Sequence, residues 1–140
     1  FEESPVFQPA REVIEKMLVT YDVGEALVAF NLGVKFVLDE LLLRHLPQLA
    51  SKMGDEMMRH IHMSFYNDTL RHRHQLEELF KYAFSKEPRL KDVVKPWLKE
   101  WQEKSYYAID GFREIFKGDY ENVVSQIKKS HNEYLGGIGL

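Results

Sequence analysis

The sequence predicts an all-α chain. Three observations carry that expectation. Only 5 prolines and 8 glycines punctuate the 140 residues, no run of alternating β-branched residues occurs, and apolar residues recur at helical spacing nearly everywhere. A single helical domain over residues 1–140 follows, since neither repeats, linkers nor low-complexity stretches interrupt it.

The helices are placed in order by their caps and breakers. Pro9 suits a first helical turn, and Val13, Ile14, Met17 and Leu18 form a short stripe, giving a helix near 9–19. Asp22 with Glu25 three residues on reads as a capping box opening a helix over 23–45, which Pro47 is expected to end. Gly54-Asp55 opens a long helix, 55–84, closed by Ser85, Glu87 and Pro88. A fourth helix, 88–117, contains Pro96, where a bend or restart is expected. Gly118-Asp119 is expected to end it and to cap a last helix, 120–135, that Gly136-Gly137 should stop.

Composition narrows the function classes. Nineteen basic against 22 acidic residues leave a net charge of −3, without the basic stripe that a nucleic-acid partner requires. There is no cysteine, hence no disulfide, thiolate metal site or cysteine nucleophile. The most apolar stretch, 26–46, contains Asn31, Lys35, Asp39, Glu40 and Arg44, so no membrane span is expected. The N-terminal FEESPVF has neither the basic nor the apolar region of a signal peptide, and a cytoplasmic location is the expectation. No Gly-rich phosphate loop, HExxH or GxSxG occurs.

The helix over 23–45 is apolar on more than one side: Leu27, Phe30, Val34, Val37, Leu38 and Leu41 on one stripe, Leu32, Phe36 and Leu43 roughly opposite. Two readings stay open. It is the central helix of its own bundle, or it meets partners through Leu27, Phe30, Leu32, Val34 and Phe36. Trp97 and Trp101 join those interface candidates, and their spacing reads as a helix-packing stripe and not as a cofactor contact.

Four of the six histidines lie in the third helix. Its core-facing stripe reads Met57, Ile61, Phe65, Asp68, His72, Leu76, Leu79 and Ala83, which puts an acid and an imidazole inward, four residues apart. His60, His62 and His74 read as surface histidines, with His74–Glu78 and Arg73–Glu77 as surface pairs. Helix-bundle di-iron sites use Glu-x-x-His, yet the residues three before each histidine are Leu42, Met57, Arg59, Thr69, Arg71 and Lys128. No catalytic, cofactor-binding or metal-ligating residue is therefore expected in this chain. With the second and third helices hinged near Ala50, Asp68 falls opposite residues near 32. Lys35 is then expected to reach Asp68 and His72 as a structural polar cluster; alternatively Asp68 bonds only Arg71 or His72 on its own helix.

Several segments together resemble a known family. They are 7–16, Tyr21-Asp22-Val23-Gly24-Glu25-Ala26, Asn31-Leu32-Gly33-Val34-Lys35, Gly54-Asp55-Glu56, Asp68-x-x-Arg71-His72, Trp97-x-x-x-Trp101 and the final 135–140. The pattern is similar to the beta subunit of the soluble bacterial multicomponent monooxygenases, the toluene, phenol and methane hydroxylases. Val23 departs from it, and the chain is about half the length of such subunits, as if the N-terminal half were absent. The resemblance implies a ferritin-like, ribonucleotide-reductase-like bundle, incomplete without that half or partner subunits. It implies a non-catalytic scaffold of a heterohexameric hydroxylase that inserts oxygen from O2 into a hydrocarbon or aromatic substrate such as phenol or toluene. Iron would sit in the alpha subunit, and NADH would supply electrons through a separate reductase. The partners would be alpha and gamma subunits, a second protomer and a regulatory protein. Two other readings remain: a helical ligand-binding or regulatory domain unrelated to oxygenases, and a self-standing metal site around Asp68 and His72.

Overall fold

The computed structural model describes residues 4–140; Phe1–Glu3, the start of the segment read above as lacking a signal peptide, lie outside the described residues. The fold is all-α, with no strand among the described residues. Helix α1 is Gln8–Leu18, with Pro9 in its first turn. Helix α2 runs unbroken over 23–52. Helices α3 (Glu56–Lys86) and α4 (Leu90–Tyr107) follow, then the single turn α5 (Arg113–Phe116) and α6 (Tyr120–Ile138).

Two of the three predicted N-caps form. Asp22 accepts the Glu25 N–H at 3.0 Å and Asp55 accepts the Met58 N–H at 2.9 Å. The Glu25 carboxylate does not fold back to close the capping box. It instead accepts the Trp101 indole N–H at 2.8 Å, tying α2 to α4.

Pro47 does not end α2. Two wide turns, Ala29–Val34 and Glu40–His45, carry i→i+5 bonds, such as Lys35 N–H to Phe30 O and Leu46 N–H to Leu41 O. The next bond of the second wide turn would run from residue 47 to the Leu42 carbonyl, and proline has no N–H to make it. His62 of α3 supplies the missing donor, its Nδ1 lying 2.9 Å from Leu42 O. The helix therefore continues one and a half turns further, and the α2–α3 hairpin turns at Gly54, whose φ is +93°, instead of near Ala50.

Three further boundaries differ from expectation. Helix α4 passes through Pro96 and ends at Tyr107, ten residues short of the expected 117. The break that follows is filled by the N-terminal segment: a Cβ on Gly111 would lie 2.1 Å from the Val6 carbonyl oxygen. Asp119 precedes α6 without capping its backbone and accepts from the Asn122 side chain instead. Helix α6 passes through Gly136 and Gly137, and Gly139, at φ +88°, ends it.

Helix α2 is the axis of the bundle. Val28, Ala29, Leu32, Val34, Phe36, Val37 and Leu41 are all buried, which realises the central-helix reading, while Leu27 and Phe30 stay exposed. Helix α4 crosses it closely at Gly33, where an added Cβ would come within 2.9 Å of Ser105 Oγ and 3.5 Å of Trp101. Ser105 cannot retreat freely, because its hydroxyl donates to Trp101 O at 2.6 Å inside the core. Gly33→Ala should therefore destabilise the protein by about 1–3 kcal/mol despite alanine's better helix propensity. Urea melting should show much of that loss recovered in Gly33→Ala with Ser105→Ala; equal midpoints for the single variant and the native protein would contradict the close crossing.

Candidate functional site

The polar centre of the bundle is assembled from α2, α3 and α6 around Glu40, which is 1% exposed. Its Oε1 accepts from Arg73 Nη1 at 2.5 Å and from the Tyr66 hydroxyl at 2.8 Å; its Oε2 accepts from Arg44 at 2.9 Å. Arg44 also reaches the Ser130 hydroxyl of α6 at 3.3 Å. The Arg73 guanidinium donates through Nη2 to the Phe36 carbonyl at 3.2 Å and lies 3.8 Å from the centre of the Phe36 ring. Burial alone would push the Glu40 carboxyl up, but hydrogen bonds and charge from Arg73, with Arg44 and Tyr66, hold it below its ordinary value. Glu40 is an ionised, neutralised carboxylate with both oxygens occupied. Three of its roughly four acceptor positions are filled, and the two guanidiniums oppose the arrival of a proton or a cation at the fourth.

His131 closes the same centre from α6. Fully buried, it stacks on Phe36 at 4.7 Å, places Nε2 2.5 Å from Leu32 O, and lies 2.9 Å from the Tyr106 hydroxyl through Nδ1. The tautomer that satisfies both contacts carries its proton on Nε2 and accepts the Tyr106 O–H at Nδ1. Burial pushes this imidazole down to about 4, only partly opposed by the Leu32 hydrogen bond, so it is neutral. Leu32, Phe36 and Leu42, in or beside the wide turns of α2, thus each lend a carbonyl to a side chain from a neighbouring helix.

The expected cluster of Lys35, Asp68 and His72 is not assembled. Lys35 pairs with Asp39 one turn along α2, and Asp39 also accepts from Thr69 at 3.3 Å. Asp68 is exposed and bonds Arg71 on its own helix at 3.2 Å. Lys35 and His72 do line one shallow groove of about 440 Å³, with Phe30, Asn31, Gln75, Leu76 and Leu79. The physical reason is register: the hinge at Gly54 sets Glu40, not residue 32, opposite the middle of α3.

Rotation differs as well. The stripe expected to be buried on α3 is exposed at Met57, Ile61, Phe65, Asp68, His72 and Leu79, whereas the inward face carries His62, Tyr66, Thr69 and Arg73. Arg73, read as a surface partner of Glu77, is buried against Glu40, and Glu77 pairs with Lys81. Among the interface candidates, Leu27 and Phe30 are exposed, Trp97 is half-buried, and Leu32, Val34, Phe36 and Trp101 lie inside the chain's own core. Among the described residues no group of three or more His, Asp or Glu is placed to hold a metal ion. The donors present do not fit a di-iron centre: the inward acid is Glu40, and two guanidiniums occupy its oxygens.

Comparison with known proteins gives two findings. A sequence profile described as methane/phenol/alkene hydroxylase matches residues 1–87. The chain is also 29% identical over 119 residues to the hydroxylase component beta subunit of the toluene-4-monooxygenase system of Ectopseudomonas mendocina. That alignment covers 85% of this chain and 36% of the relative, so the chain spans little more than a third of the relative's length.

Two outcomes follow from the site. Arg73→Met strands the Glu40 charge and should cost about 3–5 kcal/mol in urea unfolding, whereas Arg73→Met with Glu40→Leu should recover much of it; additive losses would contradict the pairing. For His131, the unfolded imidazole titrates near 6.5 and the folded one near 4. Between those values the unfolded state holds more protons, so stability is fully present above pH 6.5 and falls as pH drops, by about 3 kcal/mol in all. Urea midpoints between pH 6.5 and 5 should slope accordingly, and His131→Gln should flatten that slope, leaving the contribution of His45, whose burial shifts it in the same direction.

Proposed function

The chain belongs to the methane/phenol/alkene hydroxylase family, whose fold is helical and ferritin-like, and from that membership we propose that it is the scaffold part of a hydroxylase beta subunit. In this reading the chain carries no chemistry itself. It supports a larger alpha subunit whose di-iron centre activates O2 and hydroxylates a hydrocarbon or aromatic substrate, with electrons arriving from NADH through a separate reductase. A gamma subunit and a regulatory protein complete the assembly, which works in the cytoplasm.

One observation carries the reading: the acid buried between α2 and α3, Glu40, is paired with the guanidiniums of Arg73 and Arg44. A carboxylate already paired with two guanidiniums has little charge left to attract a cation. The surface supports the assembly side. Leu18, Val19, Tyr21, Val23 and Leu27 are all more than half exposed where α1 turns into α2. An apolar groove of about 480 Å³ also opens between α1 and α2, lined by Phe7, Ala10, Ile14, Leu38, Leu42 and Phe112 and edged by Arg11 and Glu15. Exposed apolar surface of this kind is what a partner chain would cover. No helix among the described residues is long and apolar enough to cross a membrane.

Affinity purification of a tagged chain from its native cell, followed by elemental analysis of each separated subunit, tests the proposal. The expected result is a stoichiometric larger partner holding the iron, with O2-dependent hydroxylation found only in the assembly. About two iron atoms on this chain, or a chain that purifies without a partner, would overturn it.

A further inference from the structure

Tyr106 of α4 is half-buried and joins the surface to the core. On one side it lines an open polar cleft of about 290 Å³, with Asp110, Arg113, Tyr120 and Lys128. On the other, its hydroxyl lies 2.9 Å from Nδ1 of the fully buried His131. Nε2 of that imidazole is committed to the Leu32 carbonyl at 2.5 Å, so Nδ1 carries a lone pair and the phenol donates to it. The Gln102 side chain donates to the same hydroxyl oxygen, which leaves the phenolic proton to His131. Among the described residues no other tyrosine donates to a buried imidazole. Tyr66, Tyr107 and Tyr120 donate to carboxylates: Glu40 is held by two guanidiniums, while Glu12 and Asp110 are exposed and would pass a proton to water. Tyr134 donates to the Arg73 carbonyl, which cannot take a proton, and Tyr21 and Tyr82 are exposed.

A phenol gives up an electron easily only when its proton can leave at the same moment, and a base already at hydrogen-bond distance provides for that. We propose that Tyr106 and His131 form a redox-active pair, in which Tyr106 gives one electron to a strong one-electron oxidant as its hydroxyl proton crosses to His131 Nδ1. The O–H bond breaks and an N–H bond forms. A neutral phenoxyl radical is left beside an imidazolium whose new N–H donates back to the phenoxyl oxygen. An oxidised phenol is a far stronger acid than an imidazolium, so the proton moves to His131 even though burial lowers that ring's basicity. The ionised Glu40 favours the new charge and Arg73 opposes it. Lys128, 5.0 Å from the centre of the Tyr106 ring, also opposes the oxidised state, but it is exposed and solvent screens it. With His131 sealed from water, the proton stays in the core. It returns to the Tyr106 oxygen when a small reductant in the cleft, an enediol or a phenol, supplies the electron. The inference does not rest on the hydroxylase reading.

Photo-oxidation of the purified chain, in the assembly it is obtained in, with ruthenium tris(bipyridine) and persulfate tests the pair. Electron paramagnetic resonance reads the radical. The expected product is a neutral tyrosyl radical that decays at least tenfold more slowly than the radicals of Tyr106→Phe, which arise on the other six tyrosines and the two tryptophans. With isotopically labelled histidine, the long-lived radical should show coupling to one imidazole nitrogen and to an exchangeable proton. His131→Gln keeps a donor for the Leu32 carbonyl but supplies no base, and should shorten the lifetime to that of Tyr106→Phe. If that variant fails to fold, the nitrogen coupling in the native protein still decides. Equal lifetimes in native and Tyr106→Phe protein would overturn the proposal, and so would a Tyr106 radical without imidazole coupling. Either failure leaves the hydroxylase reading untouched.

Discussion

Glu40 places a negative charge inside the bundle, and much of the polar architecture around it follows from neutralising that charge. A carboxylate at 1% exposure is tolerated only when paired and fully hydrogen-bonded. Arg73 and Tyr66 from α3, and Arg44 from the next turn of α2, meet that requirement together. Because the partners sit on two helices, satisfying the charge also fixes how α3 slides and rotates against α2. Arg73 in that position reaches the Phe36 carbonyl and ring, and Tyr134 of α6 donates in turn to the Arg73 carbonyl at 3.2 Å. One buried charge thus holds three helices in register.

The wide turns of α2 make this possible. Leu32 and Leu42, inside the wide turns, lend their carbonyls to His131 and His62, while Phe36, in the regular helix between them, accepts from Arg73 as well as from the Glu40 N–H. The His62 bond carries the helix through Pro47 and moves the hairpin hinge to Gly54. Local backbone irregularity and interior polarity are therefore one feature: each wide turn opens an acceptor, and each acceptor draws a polar side chain from a neighbouring helix into the core.

Much of the fold was legible in the sequence because it is written locally. The caps at Asp22 and Asp55, the helical spacing and the greasiness of α2 each depend on residues within a turn or two. The candidate site was not legible, for reasons that are equally physical. Proline is read as a stop unless a donor from another helix replaces its N–H, as His62 does at the Leu42 carbonyl. Arg73 has Glu77 four residues on, so local spacing offers a surface pair, and only the tertiary position of Glu40 shows the stronger partner. The hydrophobic stripe of α3 was assigned to the core by a rule that assumes one buried apolar face per helix. Here the apolar face points outward and the chain's own contacts use Tyr66, Thr69 and Arg73. Runs of exposed polar and apolar residues that each look misplaced are what remains visible of such an arrangement in sequence alone.

The central claim is that the interior acid is a fixed, charged staple and not a group poised to exchange protons or hold metal. The carboxyl carbon resonance of Glu40, followed by NMR as pH is lowered, tests it most directly. The account predicts a carboxylate that stays ionised below its ordinary value of 4.5 and takes up its proton only as the core gives way. A Glu40 that titrates at or above 4.5 while the rest of the bundle keeps its native spectrum would contradict it.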